Sequence, residues 1–149
     1  MKLQDYANLA TVLTFLVAFA AAIFGLYQVG EMKRSLHLNS FLAVVSILQD
    51  ERVRAARDTL IKLDGKPLQA WSYGERKAAD LALRKFNATA ILVRKDLIPL
   101  HFVLPEWGNS LRLCWAAGQP LIDEYRSGKR GERYWHELES LVRLGDREV

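Results

Sequence analysis

The chain has 149 residues, 21 Lys and Arg against 17 Asp and Glu, a formal charge of +4, hydrophobic residues at 50% and one cysteine. Charged residues at 26% beside a hydrophobic half exclude a disordered tail, and a single Cys114 excludes both an intrachain disulfide framework and a four-thiolate zinc site. One domain's worth of chain must then be held together by packing.

The first predicted element is a membrane span. From Tyr6 through Gly30 no side chain is charged, a run of 25 residues. That exceeds the roughly 20 needed to cross the hydrocarbon core of a bilayer. Tyr6 and Tyr27 stand 21 positions apart, which at ~1.5 Å per residue is about 31 Å, close to the thickness of that core, where interfacial tyrosines belong. Ala18-Phe19-Ala20 and Ala20-Ala21-Ala22 imitate a signal-peptide cleavage site, but Ile23, Phe24 and Leu26 carry the apolar run past them. The segment therefore reads as an uncleaved signal anchor. Lys2 precedes the run and Lys33 and Arg34 follow it; this bias, with the lack of disulfides, predicts a cytoplasmic body. Ala7, Thr11, Thr14, Ala18, Ala21 and Gly25 succeed one another at steps of four and three, on one stripe of the helix, while Phe15, Phe19 and Ile23 lie off it. Close approach along small residues stabilises helix pairs in lipid, so the stripe implies a membrane-protein partner or self-association.

Residues 1–35 are thus expected to form the anchor and its juxtamembrane segment, and residues 36–149 a helical bundle domain. A second helix is expected after Asn39-Ser40, carrying Phe41, Val44, Val45 and Leu48, with a bend at Gln49-Asp50. Val53, Ala56, Leu60 and Leu63 continue the helical period to the turn Asp64-Gly65-Lys66-Pro67. Ser72-Tyr73-Gly74-Glu75 has the form of a capping box and predicts a long helix whose buried stripe is Ala79, Leu83, Phe86, Ala90, Val93 and Leu97, ended ahead of Pro99. Between residues 65 and 100 there are seven Lys or Arg against three acids, an excess equal to the whole net charge. At ~100° per residue, Arg76, Lys77, Arg84, Lys85, Arg94 and Lys95 fall on one half of this helix, away from its apolar stripe. This face is either solvated or a site for anionic headgroups. Nucleic acid is not an expected partner, because only Tyr73 and Phe86 are aromatic near these cations.

The last third begins with Leu100 to Leu104 between two prolines and resumes helical spacing at Trp107, Leu111, Cys114 or Trp115, Leu121 or Ile122, and Tyr125. Pro105 is placed in a first turn and a kink is expected at Gly118-Pro120. Ser127-Gly128 ends this helix; a final amphipathic one carries Tyr134, Trp135, Leu138, Leu141 and Val142 as far as Gly145. The fold class is all-α: an N-terminal transmembrane helix followed by a small cytoplasmic helical bundle. Trp115 and Trp135 are expected in the core, Trp71 and Trp107 at the surface.

Arg112, Trp115, Pro120-Leu121-Ile122, Arg126, Tyr134-Trp135 and Leu138-Glu139, together with Val53-Arg54-Ala55-Ala56-Arg57 and the preceding span, resemble the bacterial single-pass proteins catalogued as domain of unknown function 4760. Gly118 departs from that pattern, in which a larger apolar residue is expected before the proline. The resemblance implies an N-terminal anchor in a bacterial inner membrane and a small helix bundle. It brings no activity.

No complete catalytic set is present. Glu132, His136 and Glu139 are placed on one side of the final helix, a weak candidate for a metal or acid/base site, but a di-metal bundle needs equivalent ligands on other helices. His136-Glu137-Leu138-Glu139-Ser140 lacks the second histidine of a zinc protease helix, and neither a Walker loop nor a nucleotide-binding glycine fingerprint occurs. Cys114, between Leu113 and Trp115, reads as a core thiol. Asn87-Ala88-Thr89 reads as a chance match to a glycosylation acceptor. No cofactor is expected. The expectation is a membrane-anchored interaction or regulatory protein, an accessory subunit or a homo-oligomer; the rivals are a membrane-tethered metal enzyme and an anionic-lipid-binding domain.

Overall fold

The computed structural model describes residues 3–128 and 130–147, with side chains from residue 11 onward. Lys2 and the side chains of Tyr6 and Ala7, used in the sequence argument, lie outside the described residues. Five α-helices and no strand make up the described chain: α1 (Leu3–Gln49), α2 (Glu51–Ile61), α3 (Tyr73–Arg94), α4 (Leu100–Ser127) and α5 (His136–Gly145). The chain divides into two compact units, one ending at Leu36 and the next beginning at His37.

In the first unit, the large apolar side chains of α1 are uncovered. They range from Leu36 at 50% exposed to Leu26 at 75%, and the consecutive residues Phe15, Leu16 and Val17 are each more than half exposed. Steps of ~100° carry three consecutive residues right round a helix, so no side of the helix is shielded. The helix is long and apolar enough to cross a membrane.

In the second unit, α1 carries Val44 and Leu48 into the core. No helix starts at Asn39-Ser40. A capping side chain acts only where the preceding chain leaves the helix, and residues 31–49 contain neither Gly nor Pro to make it leave. The bend comes at Asp50, whose carboxylate accepts the N–H groups of Arg52 at 2.9 Å and Val53 at 3.3 Å and so starts α2. Helix α2 buries Val53, Ala56 and Leu60. The following turn places Gly65 at a φ of +72°, a conformation suited to glycine. A short 3₁₀ turn, Leu68–Ala70, then delivers Trp71 to the core at 5% exposure, its indole Nε1 donating to the Lys66 carbonyl at 2.9 Å.

The capping box at the head of α3 is complete: Ser72 Oγ accepts the Glu75 N–H at 3.2 Å and Glu75 Oε2 accepts the Ser72 N–H at 2.6 Å. At the other end Asp96 adopts a φ of +55°, with Leu97 N–H donating to Leu92 O and Asp96 N–H to Val93 O, the pair of bonds that closes a Schellman motif. His37 Nε2 donates to the Asp96 carbonyl at 3.0 Å, a partner that the sequence did not suggest.

Pro99 caps α4, which starts at Leu100, a turn before the predicted start, and runs through both Pro105 and Pro120. Pro105 is therefore not in the first turn. Burial of Val103, Trp107 and Leu111 at steps of four binds the early turn to the core and offsets the hydrogen bond that Pro105 removes. Trp107, expected at the surface, is 4% exposed. Gly118 is glycine for a packing reason: a Cβ there would meet both methyls of buried Leu83 at 3.0 Å. Helix α3 packs against α2, α4 and α5, and α4 also packs against α2 and α5.

The last helix begins later than predicted. Trp135 sits at a φ of +57°, and α5 starts only at His136. Tyr134 and Trp135 thus precede the helix instead of lying on it.

Candidate functional site

Six cations were expected to form one face of α3, and the structure divides them. Arg76 Nη1 binds Glu124 of α4 at 3.0 and 3.1 Å while its Nη2 donates to the Leu68 carbonyl at 3.0 Å. Arg94 pairs with Glu137 of α5 at 2.9 Å. Arg84 is held by Asp80, one turn earlier. Lys77, Lys85 and Lys95 make no ion pair among the described residues. Two of the six, Arg76 and Arg94, therefore join helices together, and Arg84 is paired within α3 itself.

Lys77, Arg84 and Lys85 border hollows on the side of α3 that faces α2, and Lys95 lies outside them. A cleft of about 410 Å³ is lined there by Arg52, Ala55, Ala56 and Thr59 of α2 and by Gly74, Lys77, Ala78, Asp80, Leu81 and Arg84 of α3. A second hollow of about 420 Å³ shares Arg52 and Leu81 with it and adds Ser46, Ile47, Asp50, Val53 and Lys85. Four cations meet two carboxylates: Asp50 accepts backbone N–H groups, and Asp80 holds Arg84 through Oδ2 while its buried Oδ1 has no hydrogen-bond partner among the described residues and lies 4.0 Å from Arg130. Arg52, which the sequence analysis did not single out, is common to both hollows. Its signal lay in the small residues at helical spacing, Ala55, Ala56 and Thr59 facing Gly74 and Ala78, which let the surface sink between two helices.

A polar network of a different kind joins α4 to α5. Arg126 Nε donates to the Tyr134 carbonyl at 3.0 Å and Nη2 to Glu139 Oε2 at 2.8 Å, with its guanidinium 5.7 Å from the Trp115 ring centroid. The hydrogen bond from Arg126 holds the Glu139 carboxyl below the usual carboxylate range. Arg130 lies 4.2 Å from the centroid of Tyr125 and 5.0 Å from that of Tyr134. Burial, then the charge of Asp80, raises the Tyr125 hydroxyl pKa. Asn87, the glycosylation match, accepts the Leu138 N–H on its side-chain oxygen at 3.1 Å, and Thr89 is buried. Both residues serve the packing of the bundle.

The metal candidate does not assemble. Glu132 lies in the turn ahead of α5, and the left-handed residue Trp135 breaks the register that was to align it with His136 and Glu139. Glu139 is already taken by Arg126 and Arg143. Among the described residues no three His, Cys, Asp or Glu side chains stand where they would hold a metal ion. Cys114 is fully buried, and burial pushes its thiol up to about 12. A third hollow, about 280 Å³ between α4 and α5, is lined mainly by apolar residues, with His101 and Arg112 at its polar edge.

A family model described as domain of unknown function, DUF4760, matches residues 15–144. The chain belongs to that family. No curated protein and no solved structure matches it. In this DUF4760 chain, the residues that carried the resemblance do structural work: Trp115, Arg126, Tyr134, Trp135 and Glu139 form the α4–α5 network, and Pro120-Leu121-Ile122 contributes Leu121 and Ile122 to the core. In the first unit of this DUF4760 chain, Thr11, Thr14, Ala18 and Ala21 are exposed, Gly25 is half-buried with no atom of the described residues beyond its neighbours and its own helix backbone within 4 Å of where its Cβ would be, and the side chain of Ala7 is outside the described residues.

Proposed function

We propose that the protein is a single-pass membrane protein of a bacterial inner membrane, with its bundle in the cytoplasm, acting as an interaction or regulatory module, either an accessory subunit of a membrane assembly or a homo-oligomer. The observation that carries this reading is the bare circumference of α1, with Phe15, Leu16 and Val17 all more than half exposed. Each such side chain removed from water contributes about 1.5–3 kcal/mol, and a bilayer removes all of them at once. Lys33 and Arg34 after the span support the cytoplasmic side, and Ala18, Ala21 and Gly25 support close packing of a second helix.

Alkaline carbonate washing of membranes tests the anchor. The full chain is expected in the pellet, and a Val17→Arg, Ala21→Arg variant in the supernatant, since a cation at mid-bilayer costs about 2.5–3.5 kcal/mol on insertion scales. Wild-type chain in the supernatant would refute the reading. Replacing Ala18, Ala21 and Gly25 with leucine is expected to abolish crosslinking to a partner helix while leaving the chain in the membrane; undiminished crosslinking would remove the stripe from the account.

A further inference from the structure

We propose that the cleft between α2 and α3 binds a phosphate-bearing anion, with Arg52 and Lys77 as its principal contacts and Arg84 and Lys85 flanking them. The proposal does not depend on the anchor, because every residue involved belongs to the second unit.

The first argument is the distribution of charge. Of the cations on α3, Arg76 and Arg94 meet carboxylates of α4 and α5, whereas Lys77 and Lys85, with Arg52 of α2, border two adjoining hollows and have no ion pair among the described residues. Like charges held near one another repel, so their convergence is an arrangement that a bound anion would relieve. The second argument is shape. Ala55, Ala56, Gly74 and Ala78 leave the floor of the cleft without bulk, and its volume of about 410 Å³ has room for a phosphate and the group that bears it. The third is chemistry. Arginine presents a planar fork to phosphate oxygens and lysine a point charge, and Thr59, whose hydroxyl donates to the Ala55 carbonyl at 2.8 Å, keeps an acceptor for a ligand hydroxyl. Among the described residues no aromatic side chain lines either hollow, so a nucleobase would find no stacking surface there. A phosphorylated lipid headgroup and a free phosphate share this chemistry.

Native mass spectrometry of the full chain, released from a neutral detergent, tests the assignment with added phosphatidic acid, with phosphatidylcholine and with inorganic phosphate as competitor. A single phosphatidic acid adduct in preference to phosphatidylcholine is expected. At about fivefold per cation, Arg52→Gln with Lys77→Gln should weaken the adduct on the order of twentyfold or more, and Lys95→Gln, outside the cleft, should leave it unchanged. Displacement by inorganic phosphate supports recognition of the phosphate group alone, and persistence of the adduct supports a lipid headgroup. Equal adducts for both lipids, no effect of the double variant, or an equal loss in Lys95→Gln would overturn the proposal. Matching far-UV spectra of the variants exclude unfolding as the cause.

Discussion

Glu75 shows how one side chain can be set by its neighbours. The backbone N–H of Ser72 and then the ammonium of Lys66, 3.0 Å away, bring its carboxyl down from 4.5 to about 2. A carboxyl whose pKa is lower in the folded than in the unfolded chain stabilises the fold at all pH values above the unfolded one, and that contribution is lost as pH falls through the folded one. The capping box should therefore lose strength between about pH 4.5 and pH 2. Thermal melts across that window are expected to show a steeper acid loss in the wild type than in Glu75→Gln, which is less stable at neutral pH; parallel curves would show that the carboxylate has no such role. The box was legible in advance because its two residues are three apart in sequence. Trp71, one residue upstream, was misread for the opposite reason. Its burial depends on the turn through Lys66 folding back to offer a carbonyl, and no local pattern announces that.

Contacts between helices decide more than helix propensity does. At Gly118, alanine would gain about 1 kcal/mol of helix propensity, but its Cβ would press on the methyls of Leu83, and overpacking a core costs about 1–3 kcal/mol. Leu83 is fully buried with little room to yield. Gly118→Ala is therefore expected to lose up to about 2 kcal/mol in chemical denaturation, and Leu83→Val to recover part of it in the double variant. A gain in stability from Gly118→Ala alone would show that Leu83 moves aside. Arg126→Ala should cost about 2–3 kcal/mol by leaving the Tyr134 carbonyl without its donor and Glu139 with Arg143 alone, with Arg126→Lys intermediate because lysine lacks the fork. Urea midpoints of the three proteins would rank them; equal midpoints would leave the network without energetic weight. Helical spacing made most of these elements readable, including the Ser127-Gly128 end of α4. It failed where backbone geometry departs from it: one left-handed residue, Trp135, shortened α5 and dissolved the alignment of Glu132 with His136 and Glu139.

For the molecule as a whole, the uncharged run and the all-helical class were plain in the sequence, since both depend on local composition and period. The cleft was not. Three of its cations were noticed as part of α3, but their separation from Arg76 and Arg94 depends on which helices lie across from them, and Arg52 enters only once α2 is in place. A tertiary site of this kind is written in two segments whose register to each other a single sequence does not print.

The placement of the indoles has one more consequence. All four tryptophans, at 71, 107, 115 and 135, fall after His37, and three of them are at most 5% exposed. Emission excited at 295 nm therefore surveys the second unit alone. Moving the full chain from detergent to vesicles should leave its maximum in place, whereas denaturant should shift it to the red as these rings reach water. The protein thus carries an optical reporter of bundle integrity that is blind to whatever surrounds its first unit.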